Sequence, residues 1–555
     1  MKAKQMKNNQ VGEEKQAPPP EAKKKPVRSR ATDHVRQPAA TPVRQSAATR
    51  LVGFAADFSF FHYPQGRAFV RLEVDTHTEV WPVESTHFRK FLAQIFYKRT
   101  DNAIGRSALA DATTTLAGRA CHDSPEEKVF LRVAPHGENI LIDLCDSGWR
   151  VVEVTPTGWQ IIGRSPVAFI RTGSMQSLPQ PAESGSLDPL WSLLNVTPAQ
   201  RPLVAGALLN YFSPEGPFWV LNFVGEQGTA KSCAARIIRQ LVDPSANPLR
   251  SPPREERDLI AQAGSNWIVA VDNLSHLAAW FSDGLCRLAT GGGHSARSLY
   301  TDLEEISLAV KRPVIINGIE DVAARADLAE RALQVELDTI PDDRRISEKE
   351  LWRRFDEQRP VIFSAVLNAL SRALRDLPTV TQKFDALPRM ADPALWATAG
   401  ETALRWERGT FMAAYMHNLD DGAVASVEAH PVGILIRQLL NEAAEWSGEP
   451  AQLLEALNRS ASDEQRRALN FPKNPRALSA CLRRLAPALR RAGIQLDCGR
   501  ASRRRIQLRK AGNFASRPSS DAELNDVNDA NDANLQPLQN AQTRIKPPEL
   551  VEELI

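Results

Sequence analysis

The stretch from Phe218 to Ser232 constrains this chain more than any other. A nearly unbroken apolar run, Phe218-Trp219-Val220-Leu221-Asn222-Phe223-Val224, breaks into Gly225-Glu226-Gln227-Gly228-Thr229-Ala230-Lys231-Ser232. That order reads as a buried strand, a glycine-bearing loop and the start of a helix. Such a loop offers successive backbone N–H groups to an anion, and the following helix turns its positive dipole end the same way. Gly225, Gly228, Thr229, Ala230, Lys231 and Ser232 are therefore candidate phosphate-binding residues. Lys231 would supply a point charge for the β- and γ-phosphates of ATP and Ser232 a hydroxyl oxygen for Mg²⁺, as the pattern G-x-x-x-x-G-K-[ST] requires. Ala230 stands where that pattern has its last glycine, and alanine is expected there only with a negative φ.

Two further apolar runs follow. Asn266-Trp267-Ile268-Val269-Ala270-Val271-Asp272-Asn273 ends in an acid, placed to hold the water shell of Mg²⁺, and Arg312-Pro313-Val314-Ile315-Ile316-Asn317-Gly318 ends in an amide. Uninterrupted β-branched runs suit a parallel sheet covered on both faces. Ligands bind such sheets at the carboxyl ends of the strands, so Lys231, Asp272 and Asn317 are expected along one crevice.

A chain of 555 residues is too long for a single core. Composition and patterning divide it into a basic arm expected to be disordered (1–50), a small α+β domain (51–171), a Pro/Ser/Gly-rich linker (172–189), the nucleotide-binding core (190–338), a helical region (339–447), a winged-helix-like DNA-binding domain (448–510) and a tail expected to be disordered (511–555). The fold class is thus α/β: a P-loop core with a parallel sheet, preceded by an α+β domain and followed by helices. The six cysteines form no CxxC pair and the histidines lack ligand spacing, so no zinc site or disulfide framework is expected. No apolar run approaches the roughly 20 residues of a membrane span, and a cytoplasmic protein without a membrane partner is expected.

The last folded unit is basic. Lys473 to Lys510 holds twelve Lys/Arg against one acid, Asp497. Helix signals followed by a hairpin give a winged-helix order, with Arg483 and Arg484 on the long helix and Arg503, Arg504 and Arg505 in the wing, all candidate DNA contacts.

The order P-loop, Asp272, Leu288-Ala289-Thr290-Gly291-Gly292-Gly293 with Arg297 and Tyr300, Asn317, then Asp327-Leu328-Ala329-Glu330-Arg331 resembles superfamily 3 helicases of the AAA+ class. It is similar in particular to the ATPases that stand beside or within primase–helicase proteins of phages, plasmids and integrated elements. The resemblance implies Asp272 as the Walker B acid and Asn317 as the residue orienting the attacking water. It also implies Arg331, with Arg325 as runner-up, as an arginine finger reaching a neighbouring subunit, and Arg297 and Tyr300 as residues tracking DNA in a pore. A homo-oligomeric ring on DNA is expected, a hexamer favoured, with a separate primase or polymerase as candidate partner. Asn273 stands where many such ATPases have glutamate. An amide positions water but takes no proton, which leaves Asp283, Glu304 or Glu305 as base, or a slow enzyme. The competing expectation is a DNA-bound initiator or regulator whose nucleotide site only switches assembly.

Overall fold

The computed structural model describes residues 45–510 apart from 65, 75, 293, 298–304, 309–310, 319–325, 385, 469 and 499–504; of residues 294–297, 305–308 and 326 only the backbone is described. The expected tail and most of the expected basic arm lie outside the described residues.

The described residues begin inside that arm. Helix α1 (Ala47–Phe54) is capped by Ser46, whose hydroxyl accepts the Thr49 N–H at 3.1 Å, and Leu51 is fully buried. A three-stranded antiparallel sheet (Ser59–His62, Ala68–Val74, His77–Pro82) follows, then α2 (Thr86–Thr100) and a helix at Arg106–Asp123. The Ser85 hydroxyl caps α2, accepting from Phe88 N at 3.1 Å. A four-stranded antiparallel meander spans Val133 to Ile162.

This N-terminal unit is bolted to the core by buried charge. The wholly buried Arg132 guanidinium donates to Asp243 Oδ1 at 3.2 Å and to the carbonyls of Asp143 and Gln176 at 2.9 and 3.1 Å. Asp243 closes the helix that follows the glycine-bearing loop; its other oxygen takes Arg239 and the N–H groups of Trp267 and Ile268. Removing one partner of such a pair typically costs about 3–5 kcal/mol, because the remaining charge stays buried.

The expected linker is instead a packed strap. Leu178 and Leu187 are buried, the N–H groups of Ala182 and Ser186 donate to the carbonyls of Pro360 and Val361, and Gly185 lies so close that a Cβ there would sit 2.3 Å from the Ala365 nitrogen. Only glycine admits that approach.

In the core, α3 (Lys231–Val242) follows the loop. Strands β1 (Val220–Val224), β2 (Val269–Leu274), β3 (Val314–Gly318) and β4 (Ala332–Glu336) form one parallel sheet in the order β2-β3-β1-β4. Every residue of β1 and β3 is buried, which explains why they are apolar but for Asn222 and Asn317. The helical region opens with α4 (Glu348–Thr381), a continuous helix through Pro360 and Pro378. Its neighbours, the strap at Pro360 and the buried face from Ile362 to Ala373, hold it together across the missing N–H.

Helix α5 (Thr410–Glu428) ends before His430, whose Nδ1 accepts the Val432 N–H, and α6 (Pro431–Glu442) starts a new unit. Pro431 stands at the first position of α6, where its missing N–H is not needed. The unit continues with β5 (Glu445–Gly448), α7 (Pro450–Ser460), a short helix at Asp463–Arg467, α8 (Pro475–Arg491), β6 (Ile494–Cys498) and β7 (Ile506–Lys510), the strands pairing antiparallel in the order β5-β7-β6. It has its own core, built on Leu435, Leu453, Leu478, Leu482 and Leu508. The C-terminal unit thus begins at Pro431 rather than 448.

Candidate functional site

The loop leaves β1 at Gly225, where φ is +142° and a Cβ would lie 2.6 Å from the Leu337 carbonyl oxygen. Thr229 is buried, its hydroxyl donating to Glu226 O at 3.0 Å, which closes the turn. Lys231 Nζ folds back onto the carbonyls of Gly225 and Glu226 at 2.7 and 2.6 Å, and burial lowers its pKa. Ala230 has φ +66° and ψ +29°, contrary to the negative φ expected for it. The loop keeps the left-handed turn that glycine normally supplies and carries the alanine at a cost of roughly 1–2 kcal/mol.

Ser232 Oγ donates to Asp272 Oδ1 at 2.8 Å. A bulge between Val271 and Leu274 shifts the register of β2 against β3 at this point, and Asn273 in the bulge has φ +57°. Asparagine tolerates that left-handed conformation better than glutamate does. The Asn273 side chain is exposed, while its backbone N–H donates to Asn317 Oδ1 at 2.8 Å. Asn317 is buried, and among the described residues its Nδ2 has no partner. Because β3 lies between β1 and β2, Asn317 sits beside Phe223 at the mouth of the loop and beside the bulge carrying Asp272. Lys231, Ser232, Asp272 and Asn317 thus converge at one edge of the sheet. A hydroxyl and a carboxylate oxygen in contact are hard donors that fit Mg²⁺.

Arg331 lies elsewhere. It immediately precedes β4, whose Ala332 pairs with Val220 at the start of β1, four residues or about 13 Å below the loop. Its Nη1 donates to the Asp327 carbonyl at 2.6 Å, so the i,i+4 side-chain ion pair that the sequence allows is not formed. Arg389 takes the acids instead, bonding Glu330 and lying 4.0 Å from Asp327. Asp283 belongs to this end as well: the charges of Asp283, Asp327, Arg331 and Arg389 all act on Cys286, whose pKa burial raises. Tyr300, Glu304 and Arg325 are outside the described residues, as are the side chains of Arg297 and Glu305.

One residue beside the loop escapes a reading of the sequence. After β4 the chain passes the loop again, Leu337 N–H bonding Val224 O at 2.9 Å, and Arg345 Nη2 comes within 3.9 Å of where a Gly228 Cβ would stand. Among the described residues the ionic partner of Arg345 is the exposed Asp342, at 3.3 Å, and the Arg345 Nε also donates to the Ile340 carbonyl at 3.4 Å. Arg236 on α3 bonds Glu348 at the start of α4 at 2.6 Å and lies over the Trp352 ring, fixing this segment against the loop helix. The signal for Arg345 in the sequence is a pair of arginines after the last core strand, in no motif.

In the C-terminal unit Arg476, Arg483, Arg484 and Arg490 are exposed on α8, while Arg491 is tied to Asp420 of α5 at 3.0 Å. Arg505 donates to Ser447 Oγ at 2.8 Å, and Arg503 and Arg504 lie outside the described residues. No helix of the described residues is long and apolar enough to cross a membrane.

The fold is α/β, with a glycine-bearing loop, an acid and an amide gathered at the carboxyl edge of a parallel sheet. Residues 187–423 match the family of the actinomycete integrative conjugative element replication protein, and residues 432–522 match the AICE RepA C-terminal domain. These matches make the chain a replication protein of the integrative-conjugative-element class. The second match begins one residue into α6, where the separate C-terminal core begins. Two solved structures of the apo C-terminal region of NrS-1 are similar at 11% identity, with TM-scores of 0.37 and 0.34, each covering 83% of this chain and 98% of the other. No curated protein matches the sequence.

Proposed function

We propose that this replication protein is an ATP-hydrolysing DNA motor, a helicase-type AAA+ ring in which each nucleotide site is completed by the neighbouring subunit. The observation that carries the reading is the convergence of Lys231, Ser232, Asp272 and Asn317, with Ser232 and Asp272 2.8 Å apart. In it, Lys231 leaves the loop carbonyls for the β- and γ-phosphates, and the loop N–H groups bind phosphate oxygens. Ser232 and Asp272 would hold Mg²⁺, which when bound neutralises charge on those oxygens. Asn317 Nδ2, a buried donor without a partner among the described residues, holds the attacking water. Arg331, at the far end of the sheet from its own Lys231, acts on the neighbour's γ-phosphate, and six copies close the ring.

The C-terminal unit has the order of a winged helix, with α8 as the recognition helix and β6–β7 as the wing, and its exposed arginines bind DNA phosphates. A separate primase or polymerase would then complete replication.

Asn273 favours a second reading. With an exposed amide in a left-handed bulge beside Asp272, the site has no carboxylate at that position to take the proton from water. A DNA-bound initiator that uses ATP only to switch assembly fits that feature. Steady-state ATP hydrolysis with and without single-stranded DNA separates the two. A motor turns over and is stimulated by DNA; an assembly switch binds ATP with turnover that DNA leaves unchanged.

A further inference from the structure

The N-terminal unit carries no motif, yet one of its surfaces is built for a polyanion. Helices α1 and α2 contain five basic residues, Arg50, Arg89, Lys90, Lys98 and Arg99, and no acid. All five are exposed, and among the described residues none is paired with a carboxylate. Two are held by aromatic rings instead: Arg50 lies over Phe96 at 5.7 Å and Arg99 over Phe54 at 4.9 Å, and these two rings pack against each other at 6.2 Å. A guanidinium fixed on a ring face is oriented without being neutralised, so its N–H groups stay available.

Tyr97 stands beside this basic end. At 56% exposure it is the most open large hydrophobic side chain among the described residues, whereas Tyr211 and Tyr415 are fully buried. Helical spacing puts it one and two turns from Gln94 and Lys90 on the outward face of α2, opposite the buried Phe88, Leu92 and Phe96. The attraction of Lys98 and Arg99 for the negative end of the helix accounts for those two residues. It accounts for neither Lys90, Tyr97 nor Arg50. The chain before α1 continues the sign, with eleven Lys/Arg and four Asp/Glu in residues 1–44.

We infer that the carboxyl-terminal end of α2, with Arg50 of α1 against it, is a second nucleic-acid contact, specific for single strands: a strand wrapping that end sets its phosphates on Lys90, Lys98, Arg99 and Arg50 and stacks a base on Tyr97. Aromatic stacking needs an unpaired base, which a duplex does not offer. This surface is independent of the C-terminal arginines and of the nucleotide site. A motor so equipped would grip one strand at its N-terminal unit while α8 holds the duplex.

The test is the affinity of the full chain for a fluorescein-labelled oligothymidylate and for a duplex of equal length, read by anisotropy across a salt series. It is run in the Arg483→Ala/Arg484→Ala background, so that the C-terminal unit does not mask the effect. Tyr97→Ala should weaken single-strand binding on the order of tenfold with the salt slope unchanged. Lys90→Gln/Arg99→Gln should weaken it and flatten the slope of log K against log[salt] by about 0.7 for each phosphate no longer neutralised. All three residues are exposed, and unchanged thermal melting certifies the fold of each variant. Unchanged single-strand affinity in both variants overturns the inference. An equal loss on the duplex overturns its single-strand specificity.

Discussion

The side chain of Asn317 accepts the backbone N–H of Asn273 at 2.8 Å, joining the ends of two neighbouring strands at the mouth of the loop. One amide thereby does two things. Its oxygen fixes the left-handed bulge that aims Asp272 at Ser232, and its nitrogen remains free among the described residues to meet a ligand. Asn317→Asp keeps the acceptor and loses the donor, whereas Asn317→Ala loses both. The aspartate variant should hydrolyse ATP at least tenfold more slowly, the scale seen when a positioned donor is removed from a charged transition state, and its buried carboxyl beside Asp272 should make it less stable than the parent as pH rises. The alanine variant should lose turnover and about 1 kcal/mol of stability together. Equal turnover in parent and aspartate variant would remove Nδ2 from the chemistry.

Ala230 holds φ +66° where glycine is usual. Ala230→Gly should therefore stabilise the protein by roughly 0.5–1 kcal/mol, the relief of left-handed strain exceeding the added entropy of the unfolded chain. Urea unfolding reads this as a higher midpoint at constant slope. A lower midpoint would mean that the loop does not keep this turn in solution.

Arg345 lies beside Gly228, its Nε bonded to the Ile340 carbonyl and near the exposed Asp342. Arg345→Ala should weaken both ADP and ATP binding about tenfold, the loss of one charge-assisted hydrogen bond of roughly 1.5–3 kcal/mol, without changing DNA affinity. Calorimetric titration with each nucleotide checks it. Unaltered affinity for both would make the approach to the loop incidental.

Much of this site is legible in the chain, and its limits have physical causes. Apolar runs mark β1, β2 and β3 because strands buried on both faces have nothing polar to show, and caps such as Ser85 and Asn474 mark helix starts because each side chain takes an orphaned N–H. The strap from 172 to 189 reads as a linker because its anchors, Leu178 and Leu187, stand singly among Pro, Ser and Gly, with no period to betray burial. Arg345 reaches the loop only through the path of the chain after β4, which no local pattern records. The strands Ser59–His62 and His77–Pro82 leave little trace in the sequence because they are short and half-buried, and their polar residues dilute the alternation.

Glu401 is buried where α5 begins, its carboxylate accepting the N–H groups of Gly409 and Phe411, and burial raises its pKa to about 7. A carboxyl with a raised folded-state pKa binds its proton more tightly in the native protein than in the unfolded chain. Its contribution is thus fully present below the unfolded value near 4.5 and lost as pH rises through about 7. Glu401→Gln should remove that dependence, leaving a variant more stable relative to the parent at pH 8 than at pH 5 by on the order of 1–3 kcal/mol. Parallel stability–pH curves for the two proteins would contradict the raised value.

The proposed function has ATP hydrolysed at sites shared between subunits, with Lys231 from one chain and Arg331 from the next. Its most direct test mixes two inactive proteins, Lys231→Ala and Arg331→Ala, and measures ATP hydrolysis on single-stranded DNA against each variant alone and the parent. Lys231→Ala should bind no nucleotide, Arg331→Ala should bind it without turnover, and the mixture should regain part of the parent rate at interfaces where intact Lys231 faces intact Arg331. No activity in the mixture, with Arg331→Ala alone turning over as fast as the parent, would mean that Arg331 does not complete a neighbour's site.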